Sequence, residues 1–429
     1  MKPMPDSDRT AATTTSQRPL DGVRVVDLTT IIFGPSCTQI LADYGADVVK
    51  IEAPDGDFSR HAGSSPVAGM GPMYLNEMRF YRDVQPYLNL NRNKRGVCLD
   101  LRRPAAVQAL LRLIATADMF ISNVRPAGLA RLGLGYDQLR AAKPDIVCIS
   151  LVGYGQSGPY AHQPAVDDVL QAGSGMSDLF AISQGGAPSY VPMNVADRLA
   201  GTVAAHAALA ALIMRDRTGD SQHVEVPMFE TMVATVMGDH LMGASFVPEA
   251  GPMGYSRILS RDRQPFKTAD GYISTAIYSE KHWQAFLPAI GHANLRETDQ
   301  RFANAPSRAK HYPEVYRFLS EQFRQRGSGE WLELLSSLDI PCSRVMSLQD
   351  VVADPHLKAV DMFPEVRHPT VGPMRDIRMP IQWKGVELGT RRPAPIMGQH
   401  TEEVLRELGY DEAGIEAVTG SAARAVPQP

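Results

Sequence analysis

The sequence predicts an α/β protein: a doubly wound, Rossmann-like parallel sheet in a large domain, followed by a smaller α+β domain. Three observations carry this expectation. From Leu20 to Gly155, short apolar runs (GVRVVDLT, DVVKIE, MFISNV, IVCISLVGYG) alternate with helical stretches, the order in which strands and crossover helices build a parallel sheet. After Val226 the alternation gives way to helices and a hairpin signal at Ala269-Asp270-Gly271. A chain of 429 residues, 44% hydrophobic and 21% charged, is long enough for two domains.

The elements follow in order. Residues 1–19 are polar and Thr/Ser-rich, lack the apolar core of a leader peptide and read as a disordered tail; residues 422–429 look equally loose. The large domain is expected over 20–226, a helical linker over 227–252, the small α+β domain over 253–335, and a segment returning to the large domain over 336–429. In the opening unit, GVRVVDLT is a strand, TIIFGPS a turn, CTQILADYGA a helix and DVVKIE a strand. Glu52 falls where a ribose-binding acid would sit, but without GxGxxG it reads better as a strand-end surface charge. Pro54–Tyr87 has no sustained periodicity and reads as a surface excursion. Pro104–Ala117 is a helix with proline in its first turn, and Pro126–Leu132 and Tyr136–Ala142 are short helices. Asp167 and Asp168 open another helix, at least one of them as N-cap. Gly201–Met214 reads as a buried helix with apolar residues on more than one face, and Gln222–Val226 alternates as a strand. Further on, Met228–Ala244 and His282–Arg326 read as mainly helical, Ile340–Met346 as a strand, Leu348–Met362 as helical and Gly372–Gly385 as strands. Thr401 caps a closing helix.

Composition narrows the function. A net charge of −4 gives no reason to propose nucleic acid or a membrane surface as partner, and no apolar run reaches the length of a membrane span. Cys37, Cys98, Cys148 and Cys342 lie far apart without a CxxC pair, as free thiols do in a reducing, cytoplasmic compartment. The 11 histidines form no HxH or HExxH pattern, so no metal site is expected.

The candidate chemistry centres on Val191–Val226. Asp197 stands directly before the Ala/Leu-rich run. It is either a first-turn or capping acid or a nucleophilic carboxylate held on a rigid element. Gly201, four residues on, leaves room for a ligand to approach. Arg92, Lys94, Arg95, Arg102 and Arg103 bracket the strand VCLDL, where they form either a solvated surface or a binding site for phosphates. Arg257, Arg261 and Arg263 are either solvated loop charges or partners for a second substrate carboxylate. Ser157 in GYGQSGP does not make a nucleophile elbow, because Pro159 follows where the motif continues into a helix.

Several blocks together resemble the class III CoA-transferases, the group containing formyl-CoA transferase and the carnitine CoA-transferase type. They are LDGVRVVDLTTIIFGPSCTQILADYGADVVKIE, NRNKRGVCLDLR, SNVRPAGLARLGLGYDQLRAAKPDIVCISLVGYGQSGPY, DRLAGTVAAHAALAALIMRDRTGDSQHVEV, IPCSRVMSLQDVVADPHLKAVDMF and GQHTEEVLRELGYDEAGI, spanning Leu20–Val418. The resemblance implies that Asp197 is the nucleophile, that Asp167 is the family's acidic neighbour of the site, and that the enzyme passes through aspartyl anhydride and aspartyl-CoA thioester intermediates. It implies CoA contacts at Ile31, Ile32, Phe33, Leu99, Arg102 (a family lysine), Asn123, Val124, Arg131 and Leu132. It also implies an interlocked homodimer, CoA or acyl-CoA as substrate alongside a carboxylic acid, and no permanently bound cofactor. Three positions depart from the pattern: Ala53 replaces a family arginine, Ile32 replaces the glutamine of the formyl-CoA type, and GPMG (Gly251–Gly254) stands where that type has consecutive glycines. The nearest alternative is an acyl-CoA racemase or epimerase of the same superfamily, but those relatives carry a histidine where this chain has Val166, and valine cannot hold and release a proton. A nucleotide-dependent oxidoreductase lacks its GxGxxG here. A catalytically idle CoA-binding protein has no use for Asp197.

Overall fold

The structure, a computed structural model, describes residues 17–60, 85–369 and 371–420. Most of the 54–87 excursion and nearly all of the two expected tails lie outside these residues. The chain divides into two compact units. One takes in the described residues up to Pro164, Asp197–Met228 and Asp361 onward; the other takes in Ala165–Ala196 and Phe229–Val360. The second unit therefore includes 165–196, which the sequence assigned to the large domain, and it runs on to Val360 instead of ending at 335.

The first unit is built on six parallel strands: β1 (Arg24–Leu28), β2 (Asp47–Glu52), β3 (Lys94–Cys98), β4 (Met119–Ser122), β5 (Val147–Val152) and β6 (Gln222–Pro227), in the order β3-β2-β1-β4-β5-β6. This is the doubly wound order, whose direction reverses between β1 and β4. One face buries Val26, Leu28, Val49, Ile51 and Val97 against the Pro104–Ile114 helix and the C-terminal helices Thr401–Glu407 and Glu412–Thr419.

Local departures have physical reasons. The first helix starts at Phe33, ahead of the predicted CTQILADYGA, because Pro35 is tolerated in a first turn, where its missing N–H has no intrahelical partner anyway. Thr401 is the first helical residue rather than the cap; its hydroxyl accepts the Cys98 N–H at 3.0 Å. Asp167 and Asp168 likewise sit inside their helix, and Val166 is the N-cap. Within 372–385 only β11 (Gly372–Arg375) is a strand, paired with β10 (Glu365–His368).

The Ala/Leu-rich run is part of a 24-residue helix, Val195–Thr218. Its buried stripe is Ala196, Ala200, Ala204, Ala205, Ala208, Ala211 and Leu212, while Ile213 and Met214 are exposed. It therefore buries one face, not several. An 18-residue window of it, with a mean hydropathy of 1.2, passes the length and composition test for a membrane span, as core helices also do.

The second unit pairs β7 (Phe266–Lys267), β8 (Tyr272–Thr275) and β9 (Cys342–Arg344) antiparallel, with the hairpin where the Ala-Asp-Gly turn predicted it. Its core is aromatic, with Phe266, Trp283, Phe286, Phe302, Phe323 and Trp331 packed together.

Candidate active site

Every ligand-contact position inferred from the sequence lies beyond the carboxyl end of a strand in the first unit, the edge where open α/β sheets bind ligands. Ile31, Ile32 and Phe33 follow β1, Leu99 and Arg102 follow β3, and Asn123 and Val124 follow β4. Arg131 and Leu132 end the short helix after β4, Arg131 exposed and Leu132 packed against the core. The turns after β1 and β4 flank the reversal point of the sheet and are tied together: the Asn123 carboxamide accepts the Thr30 N–H at 3.0 Å and donates to the Thr30 carbonyl at 2.9 Å. Leu99 directs its side chain into the core and pairs through its backbone N–H with the Glu52 carbonyl at 2.9 Å.

The β1 turn is strained and held from below. Ile31 has φ +71°, a left-handed conformation costly for a β-branched residue and found where the surroundings over-determine it. Its N–H donates to Asp57 at 3.0 Å, and Asp57 is paired at 2.8 Å with Lys50, whose ammonium also donates to the Thr29 carbonyl at 2.8 Å. Side chains alternate along a strand, so Asp27, its register partner Lys50, and Lys94 all face away from the apolar core. Lys94 pairs with Asp27 at 3.1 Å, and Asp27 also accepts the hydroxyls of Thr29 (2.5 Å) and Thr38 (2.6 Å). Burial alone would raise the Asp57 pKa, but Lys50 and the N–H groups of Ser59 and Ile31 together outweigh it and hold it at about 2. Burial lowers Lys94 to about 8 against the pull of Asp27.

Neither Lys50 nor Asp57 was singled out from the sequence. The available signal was a lysine inside an otherwise apolar parallel strand, since such a strand has no solvent face to receive it.

Asp197 lies in the first turn of its helix and is half-buried. Gly201, one turn on, does not make room for a ligand. A Cβ there would stand 2.7 Å from the Ser36 Cβ and 2.9 Å from the Phe33 carbonyl oxygen. The glycine instead lets this helix seat against the first turn of the Phe33–Asp43 helix. Gly201→Ala is expected to cost about 1–3 kcal/mol through overpacking, read as a lower urea midpoint with reduced activity; an unchanged midpoint would contradict this packing. Asp167 belongs to the second unit, where its carboxylate is buried and accepts from the Gln171 side chain at 2.6 Å.

Several charges have structural duties. Glu52 is buried rather than on the surface; Arg60 clamps it with two bonds of 2.8 Å and stacks on Tyr87. Arg92 pairs with Asp43 and Asp376, and Arg95 with Asp47, Glu403 and Glu407. Arg103 donates to carbonyls at the end of the Glu412–Thr419 helix. Of the five basic residues around VCLDL, only Arg102 is solvent-exposed, and it pairs with Asp100 at 2.8 Å. All four cysteines are free thiols, three of them buried. Among the described residues, no group of three or more His, Cys, Asp or Glu could hold a metal ion.

Residues 20–401 match the family model described as CoA-transferase family III. The chain is 31% identical over 408 residues to the succinyl-CoA:glutarate CoA-transferase of Mus musculus, covering 94% of this chain and 89% of that protein. It is 33% identical to the probable fatty acyl-CoA transferase Rv3272 of Mycobacterium tuberculosis, covering 92% and 99%. The orthorhombic crystal structure of Rv3272 superposes with a TM-score of 0.76 at 32% identity, covering 90% of this chain and 98% of that one.

Proposed function

Because this chain belongs to CoA-transferase family III, we propose that it moves CoA from an acyl-CoA donor to a carboxylic acid acceptor through covalent intermediates on Asp197. A carboxylate oxygen of Asp197 attacks the thioester carbonyl carbon, the C–S bond breaks, and an aspartyl anhydride and CoA thiolate result. The thiolate attacks the aspartyl carbonyl and releases the donor acid, leaving an aspartyl-CoA thioester. The acceptor carboxylate attacks that thioester and again expels thiolate, which takes the acceptor's acyl group and regenerates Asp197. One exchange between two weak nucleophiles is thereby split into easier steps.

The observation that carries this reading is the seating of the Asp197 turn, through Gly201, against the first turn of the Phe33–Asp43 helix. In this reading the Asp197 carboxylate works beside the edge of the sheet suited to a nucleotide-bearing ligand, where N–H groups at a helix start would meet a developing oxyanion. In this reading the backbone at Ile31, Ile32 and Phe33 faces CoA, Leu99, Asn123, Val124 and Leu132 line its path, Arg102 and Arg131 meet its phosphates, and Asp167 is the acidic neighbour. No permanently bound cofactor takes part. Four unpaired thiols support a reducing, cytoplasmic setting, and similarity to the family supports an interlocked homodimer.

The relatives named for glutarate and for fatty acyl-CoA define the substrates to try. Incubating the chain with succinyl-CoA or hexanoyl-CoA plus hydroxylamine is expected to convert Asp197 to its hydroxamate, located by peptide mass spectrometry, with parallel loss of activity. Hydroxylamine-dependent modification elsewhere, with Asp197 untouched, would refute the assignment.

A further inference from the structure

The second unit contains a cavity of about 420 Å³ that the chemistry above does not use, within the size range of small-molecule sites. Phe266, Ile277, Trp283 and Tyr316 give its lining an apolar and aromatic part, Ser274 and Thr275 contribute polar groups, and three arginines also line it: Arg257, Arg263 and Arg308. The neighbouring acids are already engaged. Glu280 holds Arg308 and also Arg296 at 2.7 Å, and Asp262 lies 3.7 Å from Arg317. Arg308 is therefore neutralised, whereas among the described residues no ion pair involves Arg257 or Arg263. Arg257 is half-buried, its guanidinium 4.8 Å from the Tyr278 ring centre and otherwise surrounded by the phenols of Tyr255 and Tyr316. Arg261, between them in sequence, lies instead against Gly185. The loop thus divides its charges, placing two without carboxylate partners on the lining of this cavity.

We propose that this cavity is a carboxylate subsite, with Arg257 and Arg263 holding the carboxylate of an organic acid whose hydrocarbon body rests on Ile277 and Tyr316. Guanidinium groups bind carboxylate and phosphate alike, but the aromatic part of the lining favours a ligand that also carries an acyl or aryl chain. The inference rests on the transferase reading only in that such an enzyme handles carboxylic acids.

The test is calorimetric titration of the full-length Asp197→Ala chain, which lacks the proposed nucleophile, with hexanoate, phenylacetate, glutarate and inorganic phosphate. Saturable binding of at least one acid is expected. Arg257→Met or Arg263→Met should weaken it about tenfold or more, as for loss of a charge-assisted contact, Arg257→Lys should weaken it less, and Arg261→Met should leave it unchanged. Arg263 is exposed, so its replacement tests the site without disturbing the fold. No acid binding, equal affinity in the Arg257 and Arg263 variants, or phosphate binding tighter than every acid would overturn the proposal. Failure of the transferase reading shows separately, as turnover in Asp197→Ala.

Discussion

Asp197→Ala is expected to lower CoA transfer by at least about 10⁴-fold, the scale on which a covalent nucleophile's removal is felt, while leaving the urea midpoint close to that of the unsubstituted chain. The two measurements together separate the nucleophile from the helix-start acid. A first-turn carboxylate that only complements the helix dipole contributes about 0.3–1 kcal/mol of stability, and its loss would move the midpoint but not the chemistry. Asp197→Asn keeps the shape and some hydrogen bonding yet cannot form an anhydride, so it should be as inactive as the alanine variant. Transfer in either variant within tenfold of the unsubstituted chain would remove Asp197 from the reaction.

The second large effect is expected at the support of the β1 turn. Lys50→Met leaves the Asp57 carboxylate buried without its cation and the Thr29 carbonyl without a donor. Breaking a buried pair on one side costs about 3–5 kcal/mol, and here it also frees the loop that holds Ile31 at positive φ. The double variant Lys50→Met/Asp57→Asn removes the stranded charge and should recover part of the lost stability but not the affinity for acyl-CoA, because the bond from Ile31 to a charged acceptor is gone. Measured as a double-mutant cycle, a coupling near zero would show that the pair does not act as a unit.

These two sites differ in how far the sequence disclosed them. The strand-helix alternation of the first unit was readable because local periodicity and turn residues report local structure, and Tyr136–Ala142 matches its predicted bounds. Asp197 stood out because a lone acid before an apolar run is a local pattern. Lys50, Asp57 and Glu52 did not, since their meaning depends on which strands become neighbours. A charge on a strand next to a turn reads as surface until the parallel order buries it. Gly201 shows the same limit: its partners Phe33 and Ser36 lie far away in the chain, and nothing nearby distinguishes a glycine that admits a ligand from one that admits a helix. The basic residues around β3 were ambiguous for the same reason, because Glu403 and Glu407 come from the opposite end of the sequence.

That last pairing has a bearing on how the molecule is made. Arg95 waits 308 and 312 residues for two of its carboxylates, and the apolar face beside it is covered by Val404, Leu405, Ile415 and Val418. On the ribosome, the strands of this sheet emerge before residues 401–419 and stay partly naked until those residues are made, while the interposed unit can collapse around its own aromatic centre. The nascent protein thus carries a greasy, half-dressed surface while those intervening residues are made, which is the interval in which chaperone shielding matters most.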